Sequence, residues 1–348
     1  MLENNKNCFK FKEFSFTLPG DIYIRYQSFS TAAEFQGALV HRIPIKIDAG
    51  AVYNNNPRFL KANPDQIKPV QRELVFDIDI SDYNDARTCC QDSGICKKCW
   101  PFMAIGAKIL NTILTREFGF KHILFVFSGR RGFHCWVCDK EARELGGDAR
   151  RAIADYLALV KGGDNLVKRV ELDSTRGLHP MICKALEVID EQFEDLMINK
   201  QDFLSEDHLV QSIIDLCQED MELQKRLAAQ CKLNKKSSSD CWRTIVDICN
   251  SSRPKRMRYN YFIQEVKLQH CFPRIDSNVT RGVNHLLKLP FCVHPKTGKV
   301  CVPLDLETID NFDPDSVPNI KNLTPKAMDP YIRVLKRFCD NLETATKS

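Results

Sequence analysis

The chain has 348 residues, 43% hydrophobic and 27% charged, with a formal net charge of +5. That length suits one large mixed domain, or one domain with a sizeable insertion, and the balance excludes a disordered or fibrous chain. An excess of five positive charges excludes a polycation, so any nucleic-acid site has to be a local basic patch.

Residues 12–80 read as β-rich. Phe14–Leu18 and Ile22–Tyr26 alternate or carry β-branched and aromatic residues, with Pro19-Gly20-Asp21 as the turn between them. Ile43 to Tyr53 is strand-like and ends at Asn54-Asn55-Asn56-Pro57. Glu73 to Ile80 is the clearest strand, with Leu74, Phe76, Ile78 and Ile80 on one face and Val75, Asp77 and Asp79 on the other. A helix is expected from Pro101, with Phe102, Ile105, Ile109, Leu110, Ile113 and Leu114 as its core stripe and Gly119 as its stop. Ile123–Phe127 and Phe133–Val137 read as strands around Ser128-Gly129-Arg130-Arg131-Gly132.

The pattern from about 141 to 250 is mostly helical. Ile182, Leu186, Ile189, Phe193 and Met197 mark one amphipathic helix, and residues 235–239 an exposed loop. Phe291–His294 and Lys299–Val302 flank Pro295-Lys296-Thr297-Gly298, a hairpin signal.

Asp77 and Asp79 lie two residues apart on one strand face, about 6.6–7 Å apart at Cα. Carboxylates so close repel unless a cation sits between them. Mg²⁺ is usually held by one or two carboxylates plus substrate phosphates. Two such ions activate a hydroxyl and stabilise the leaving oxygen in nucleotidyl transfer. A lone pair of this kind also suits the solvated face of a half-buried strand. The bend Ser128–His134 sets Arg130 and Arg131 between glycines. Gly129 lets backbone approach a ligand, and the planar guanidinium suits phosphate. Ser128 and His134 add donors. A solvated hairpin tip carries arginines too.

Sixteen cysteines would suit a secreted disulfide protein. However, Met1-Leu2-Glu3-Asn4-Asn5-Lys6 is no apolar leader, and no stretch approaches the roughly 18 apolar residues of a membrane helix. Reduced, intracellular cysteines and no membrane are therefore expected. Cys89, Cys90, Cys96 and Cys99 follow the carboxylate strand in a polar segment, and four thiolates at short spacing suit a structural Zn²⁺. Four free cysteines in a loop would invite oxidation. Cys135 and Cys138, on opposite faces of a strand, read as core residues.

Together these segments resemble the small catalytic subunit of archaeal and eukaryotic primases, closely the eukaryotic form. The resemblance rests on Lys12–Thr17, Asp21–Phe29, Glu73–Asp79, Ser128–Asp139, Cys271–Asp276, Asn284–Lys288 and Val293–Gly298, and spans residues 12–318. It implies an α/β (α+β) fold: a mixed β-sheet catalytic core with a zinc-binding segment and an all-helical insertion. The first part of the core is expected over 1–175, with the zinc segment at 89–99. The insertion is expected over 176–250, and the second part with a C-terminal segment over 251–348. Family members usually carry a longer helical stretch before the Phe14–Leu18 strand than the dozen or so residues that precede it in this sequence.

The resemblance also implies roles. Asp77, Asp79 and Asp276 hold catalytic Mg²⁺ or Mn²⁺, and Glu13 is a further active-site carboxylate. Ser128, Gly129, Arg130, Arg131, His134, Lys288 and His294 bind the triphosphate. Arg25, Asp48 and His285 lie near the nucleotide, and Cys89, Cys90, Cys96 and Cys99 hold Zn²⁺. Read alone, Lys288 could end an amphipathic helix over 283–287, His294 could be structural, and Asp276 could cap a helix. Residues 253–258 with Tyr259, Tyr261 and Phe262 suit nucleic acid or a solvated charged face equally. The implied activity is synthesis of short RNA primers on single-stranded DNA from ribonucleoside triphosphates. The implied partners are the large primase subunit and the DNA polymerase alpha complex, in the nucleus. Two rivals remain: a related primase-polymerase or terminal transferase preferring deoxynucleotides, and a non-catalytic zinc-stabilised nucleic-acid-binding subunit.

Overall fold

The computed structural model describes residues 6–161, 167–217, 220–232, 237–251 and 260–347. Its strands are β1 Lys12–Leu18, β2 Ile22–Gln27, β3 Lys46–Tyr53, β4 Pro69–Gln71, β5 Leu74–Asp79, β6 Ile123–Phe127, β7 Gly132–Val137, β8 Leu287–Lys288 and β9 Pro303–Leu304. With the helices between them the fold is mixed α/β, as expected. Two compact units emerge, one of 1–78, 120–157 and 275–348, the other of 79–119 and 158–274.

The first unit holds two sheets. One has the order β2-β1-β3-β4 with β8 also on β3, and the other runs β5-β7-β6-β9. The β1 pairings with β2 and β3, and those of β3 with β4 and β8, are antiparallel, as are those of β6 with β7 and β9. The register explains what each face carries. Phe14 lies opposite Ala49, and Ala49 opposite Leu287, in one apolar row. The next row is polar, with Ser15 opposite Asp48 and Asp48 opposite Lys288. Successive side chains on a strand point to opposite faces, so the two rows cannot share a side. Phe14, Phe16 and Phe29 build one apolar cluster. Ala49, Val75, Leu124, Val126, Trp136 and Leu287 build another, covered by Leu335, Phe338 and Leu342 of the helix Pro325–Lys347.

The expected β1, β2, β5, β6 and β7 form with ends shifted by a residue or two. Four expectations change. Ala32–Arg42 is helical, and Ile43, in left-handed conformation at its end, delays β3 to Lys46. Leu287–Lys288 is a strand rather than the end of a helix, because β3 supplies its backbone partners. The amphipathic segment from Ile182 divides into the helix Pro180–Asp190 and a π-helical turn Glu194–Lys200. The late hairpin closes through the single bridge Val293–Val300 rather than two strands.

The second unit is predominantly helical. Trp100–Arg116 carries Pro101 in its first turn and buries the expected stripe, and Ser238–Ser251 claims the last two residues of the expected 235–239 loop. Residues 253–259 of the basic-aromatic segment lie outside the described residues; Tyr261 donates through its hydroxyl to the Arg176 carbonyl, and Phe262 is buried.

Candidate active site and cysteine centre

Asp77 and Asp79 are the half-exposed residues of β5, and Asp77 lies between buried Phe76 and Ile78. The backbone of Asp276 comes alongside, where a bridge joins Ile78 to Ile275 and Asp276 N–H donates to the Asp77 carbonyl at 3.0 Å. Asp276 also caps the helix Ser277–Arg281, accepting from Asn278 N–H at 2.9 Å. Two residues along β5, Asp79 accepts from Ser81 through both N–H and hydroxyl, at 3.0 and 2.8 Å. The donor set is of hard oxygens and suits Mg²⁺ or Mn²⁺, which complete their shells with water and phosphate. Asp77, Asp79 and Asp276 do not converge as the cysteines do.

His134 of β7 is buried, with Nε2 at 3.8 Å from an Asp77 oxygen and Nδ1 left without a partner. Burial first, then the Lys288 ammonium, pushes its pKa down to about 3. The bend before β7 carries half-buried Arg130 and exposed Arg131. Gly129 has φ +83°, and a Cβ there would meet the His294 Cβ at 2.8 Å and Cys301 Sγ at 3.2 Å, so only glycine fits. Lys288 Nζ donates to the Ser128 carbonyl at 3.2 Å, and burial lowers its pKa. His294 is pushed down to about 4, by burial and then by Lys288 and Arg130. Crowded cations and a neutral, half-satisfied histidine favour an incoming anion.

A cleft of about 340 Å³ opens nearby, lined by Tyr23, Arg25, Lys46, Asp48, Asn284, His285 and Leu286. Asp48 is buried. One of its oxygens meets Ser15 Oγ and Lys46 Nζ, each at 3.1 Å, and the other has no partner. Glu13 is buried and receives Arg25, Tyr26 N–H and the Tyr53 hydroxyl. His285 is held from behind, its carbonyl accepting from Arg72 Nε at 3.2 Å. Arg72 itself is fully buried against Trp136 and pairs with Glu73 at 2.6 Å. Burial alone would raise Glu73; Lys12 and Arg72 outweigh it and hold the carboxyl well below its usual range.

Thus Asp77 and Asp276, the bend with His134, Lys288 and His294, and the cleft with Arg25, Asp48 and His285 all fall in the first unit. Sequence reasoning missed Lys46, Arg72 and Gly50. Lys46 shares its β3 face with Asp48, a spacing that could have flagged it. Gly50 admits no Cβ, which would lie 2.8 Å from Leu286 and 3.0 Å from Glu13; no local signal marks it. Arg72 is legible only through partners far along the chain.

In the second unit the Sγ atoms of Cys89, Cys90, Cys96 and Cys99 lie within 4.8 Å of one another, the one such metal-ligating group among the described residues. Cys96 stands 3.8 Å from Cys89 and 3.9 Å from Cys99. Four sulfurs about 2.3 Å from one ion would be spaced about 3.8 Å in a tetrahedron, so the set fits a single metal ion. Burial pushes the Cys90 thiol up to about 11; at Cys96 burial is outweighed by backbone N–H groups of Cys99 and Lys98, and its pKa falls. Gln201 Nε2 donates to Cys89 Sγ at 3.5 Å, and Arg87 approaches Cys99 Sγ at 3.9 Å, giving outer partners to two of the clustered cysteines. Cys135 and Cys138 are buried and stand outside the cluster.

Residues 76–306 match the family described as DNA primase small subunit. The chain belongs to that family. It is 40% identical over 328 residues to the DNA primase small subunit of Drosophila melanogaster, covering 90% of this chain and 74% of that one. Identity to the Schizosaccharomyces pombe protein of the same name is 39% over 322 residues, covering 91% and 71%. For Saccharomyces cerevisiae the figures are 34% over 352 residues, 95% and 84%. The family match takes in Asp77 and Asp79 of β5, the bend, Asp276, Lys288, His294 and all four clustered cysteines.

Proposed function

We propose that this chain synthesises short RNA primers de novo on single-stranded DNA, joining ribonucleoside triphosphates by two-metal nucleotidyl transfer. The observation that carries the reading is the approach of His134, on the strand leaving the arginine bend, to Asp77, beside which Asp276 lies. A phosphate-gripping group thus stands next to a cation-holding one. Asp77, Asp79 and Asp276 are the residues that would hold Mg²⁺ or Mn²⁺. When bound, such ions lower the barrier to hydroxyl attack on the α-phosphate and neutralise the pyrophosphate that leaves.

The chain's own groups do the rest. Ser128, Arg130, Arg131, Lys288 and His294 bind the β- and γ-phosphates, with Gly129 letting backbone approach. His134, neutral at working pH, donates one N–H without adding charge. Arg25, aimed by Glu13, and Asp48 and His285 orient the nucleoside in the cleft. The four cysteines hold Zn²⁺ and order a polar segment that lacks its own apolar core. The same reading makes the large primase subunit and the DNA polymerase alpha complex its partners, in the nucleus, supported by the family.

The test is primer-free synthesis on poly(dT) with labelled ATP, with dATP in a parallel arm and chelator in another. Ribonucleotide products that vanish with chelator, and in Asp77→Ala and Asp79→Ala proteins with unchanged circular dichroism, are expected. Synthesis persisting in the double variant sinks the assignment; a preference for dATP moves the substrate to deoxynucleotides.

A further inference from the structure

We infer that Thr297, outside the site residues named above, is a positioning residue whose hydroxyl fixes the Ser128–Gly132 bend in the register that presents Arg130 and Arg131 to a triphosphate. This rests on the triphosphate reading of the bend.

Thr297 Oγ1 donates to the Gly129 carbonyl at 2.7 Å and accepts from Lys299 N–H at 3.2 Å. A hydroxyl has one proton, and with Lys299 on its acceptor side that proton is directed at Gly129. The hairpin that presents it is fixed from within and from its flank. Gly298 N–H donates to His294 and His294 N–H to Lys299, both at 2.8 Å. From the flank, Asn319 Nδ2 donates to the Thr297 carbonyl at 3.0 Å, and Ile320 N–H to Gly298 at 2.8 Å.

The bend needs such support. Gly129 is in left-handed conformation, and glycine is the residue with most backbone freedom to lose. Its neighbour, the Ser128 carbonyl, accepts from Lys288 Nζ at 3.2 Å and Cys301 Sγ at 3.1 Å. Two successive carbonyls are thus tied by three side chains immediately before Arg130. Of the three, Thr297 is the one bonded to the Gly129 carbonyl, and it stands three residues from His294. One hydroxyl therefore registers the arginine bend against the histidine, two segments some 165 residues apart in sequence. Long arginine side chains grip phosphate well only from a fixed root, since small misplacements are costly.

The experiment compares Thr297→Val, which keeps the shape and loses the hydroxyl, with Thr297→Ser, which keeps the hydroxyl, in the full-length chain. Steady-state synthesis on poly(dT) gives KM and kcat for ATP; thermal unfolding is followed in parallel. Losing one such hydrogen bond is expected to raise KM about three- to tenfold in the valine protein with kcat little changed, and serine is expected to restore it. An Arg130→Ala/Arg131→Ala protein is run alongside. If it loses ATP affinity while the valine protein keeps the parent KM, the positioning role alone fails. An equal rise in KM for valine and serine overturns it too, as does a fall in melting temperature at unchanged KM. If the double arginine variant binds ATP normally, the triphosphate reading falls and this inference with it.

Discussion

Arg25 donates to both oxygens of Glu13, through Nε at 3.0 Å and Nη2 at 3.3 Å, and Glu13 is wholly buried. Tyr26 N–H at 3.3 Å and the Tyr53 hydroxyl at 3.0 Å fill the remaining acceptor positions. The carboxylate is spent on its neighbours and works by holding Arg25 at the mouth of the cleft. Glu13→Gln keeps the shape but cannot accept from all four donors. A stability loss of about 1–3 kcal/mol in urea titration is expected, together with a severalfold rise in nucleotide KM. Unchanged affinity would separate Arg25 from nucleotide binding.

His294 supplies a pH signature. It is surrounded by Lys288, Arg130, Lys296 and Arg131, and with burial these push its pKa from 6.5 to about 4. Below pH 6.5 the unfolded chain takes up a proton that the folded one refuses until about pH 4. This group therefore contributes stability above 6.5 that is lost as pH falls through that window. His294→Gln is expected to lose stability less steeply than the parent over the same range, read as urea midpoints at successive pH values. Parallel curves would mean that His294 titrates normally.

The cysteine centre predicts one tightly held zinc per chain by elemental analysis. Cys99, fully buried at the head of the helix Trp100–Arg116, is the ligand least able to be replaced. Cys99→Ser, or a strong chelator, should remove the metal and lower the melting temperature by several degrees, since metal bound only by the folded state stabilises it. Metal-free protein that melts like the parent would return the cluster to four ordinary thiols.

Much of the fold was legible because its signals are local. β1, β2, β6 and β7 announce themselves by alternation and by glycine-bearing turns, and the Trp100–Arg116 helix by its apolar stripe. The Ala32–Arg42 helix was overlooked although its start is written in the chain: Thr31 Oγ1 accepts from Glu34 N–H, and Glu34 returns to Ser30 N–H. It buries no side chain completely, and its apolar stripe is short, Phe35, Ala38 and Leu39 packing on the Phe14, Phe16 and Phe29 cluster. Leu287–Lys288 carries no local strand signal for another reason, its partner strand lying some 240 residues earlier. The same divide runs through the site. Carboxylate spacing, the arginine bend and the cysteine cluster are short-range patterns. Lys46 beside Asp48, Arg72 behind His285 and Thr297 beneath Gly129 exist only once distant segments meet.

The first unit is assembled from three separated stretches, 1–78, 120–157 and 275–348. Asp77 arrives early in synthesis, the arginine bend second, and Asp276, Lys288 and His294 near the end. No contiguous fragment shorter than about residues 13–294 carries every member of the proposed site, so a nascent chain has to keep β5 and the bend from mispairing until the last stretch emerges. Expression of the amino-terminal half alone should therefore yield unpaired sheet edges rather than a smaller enzyme.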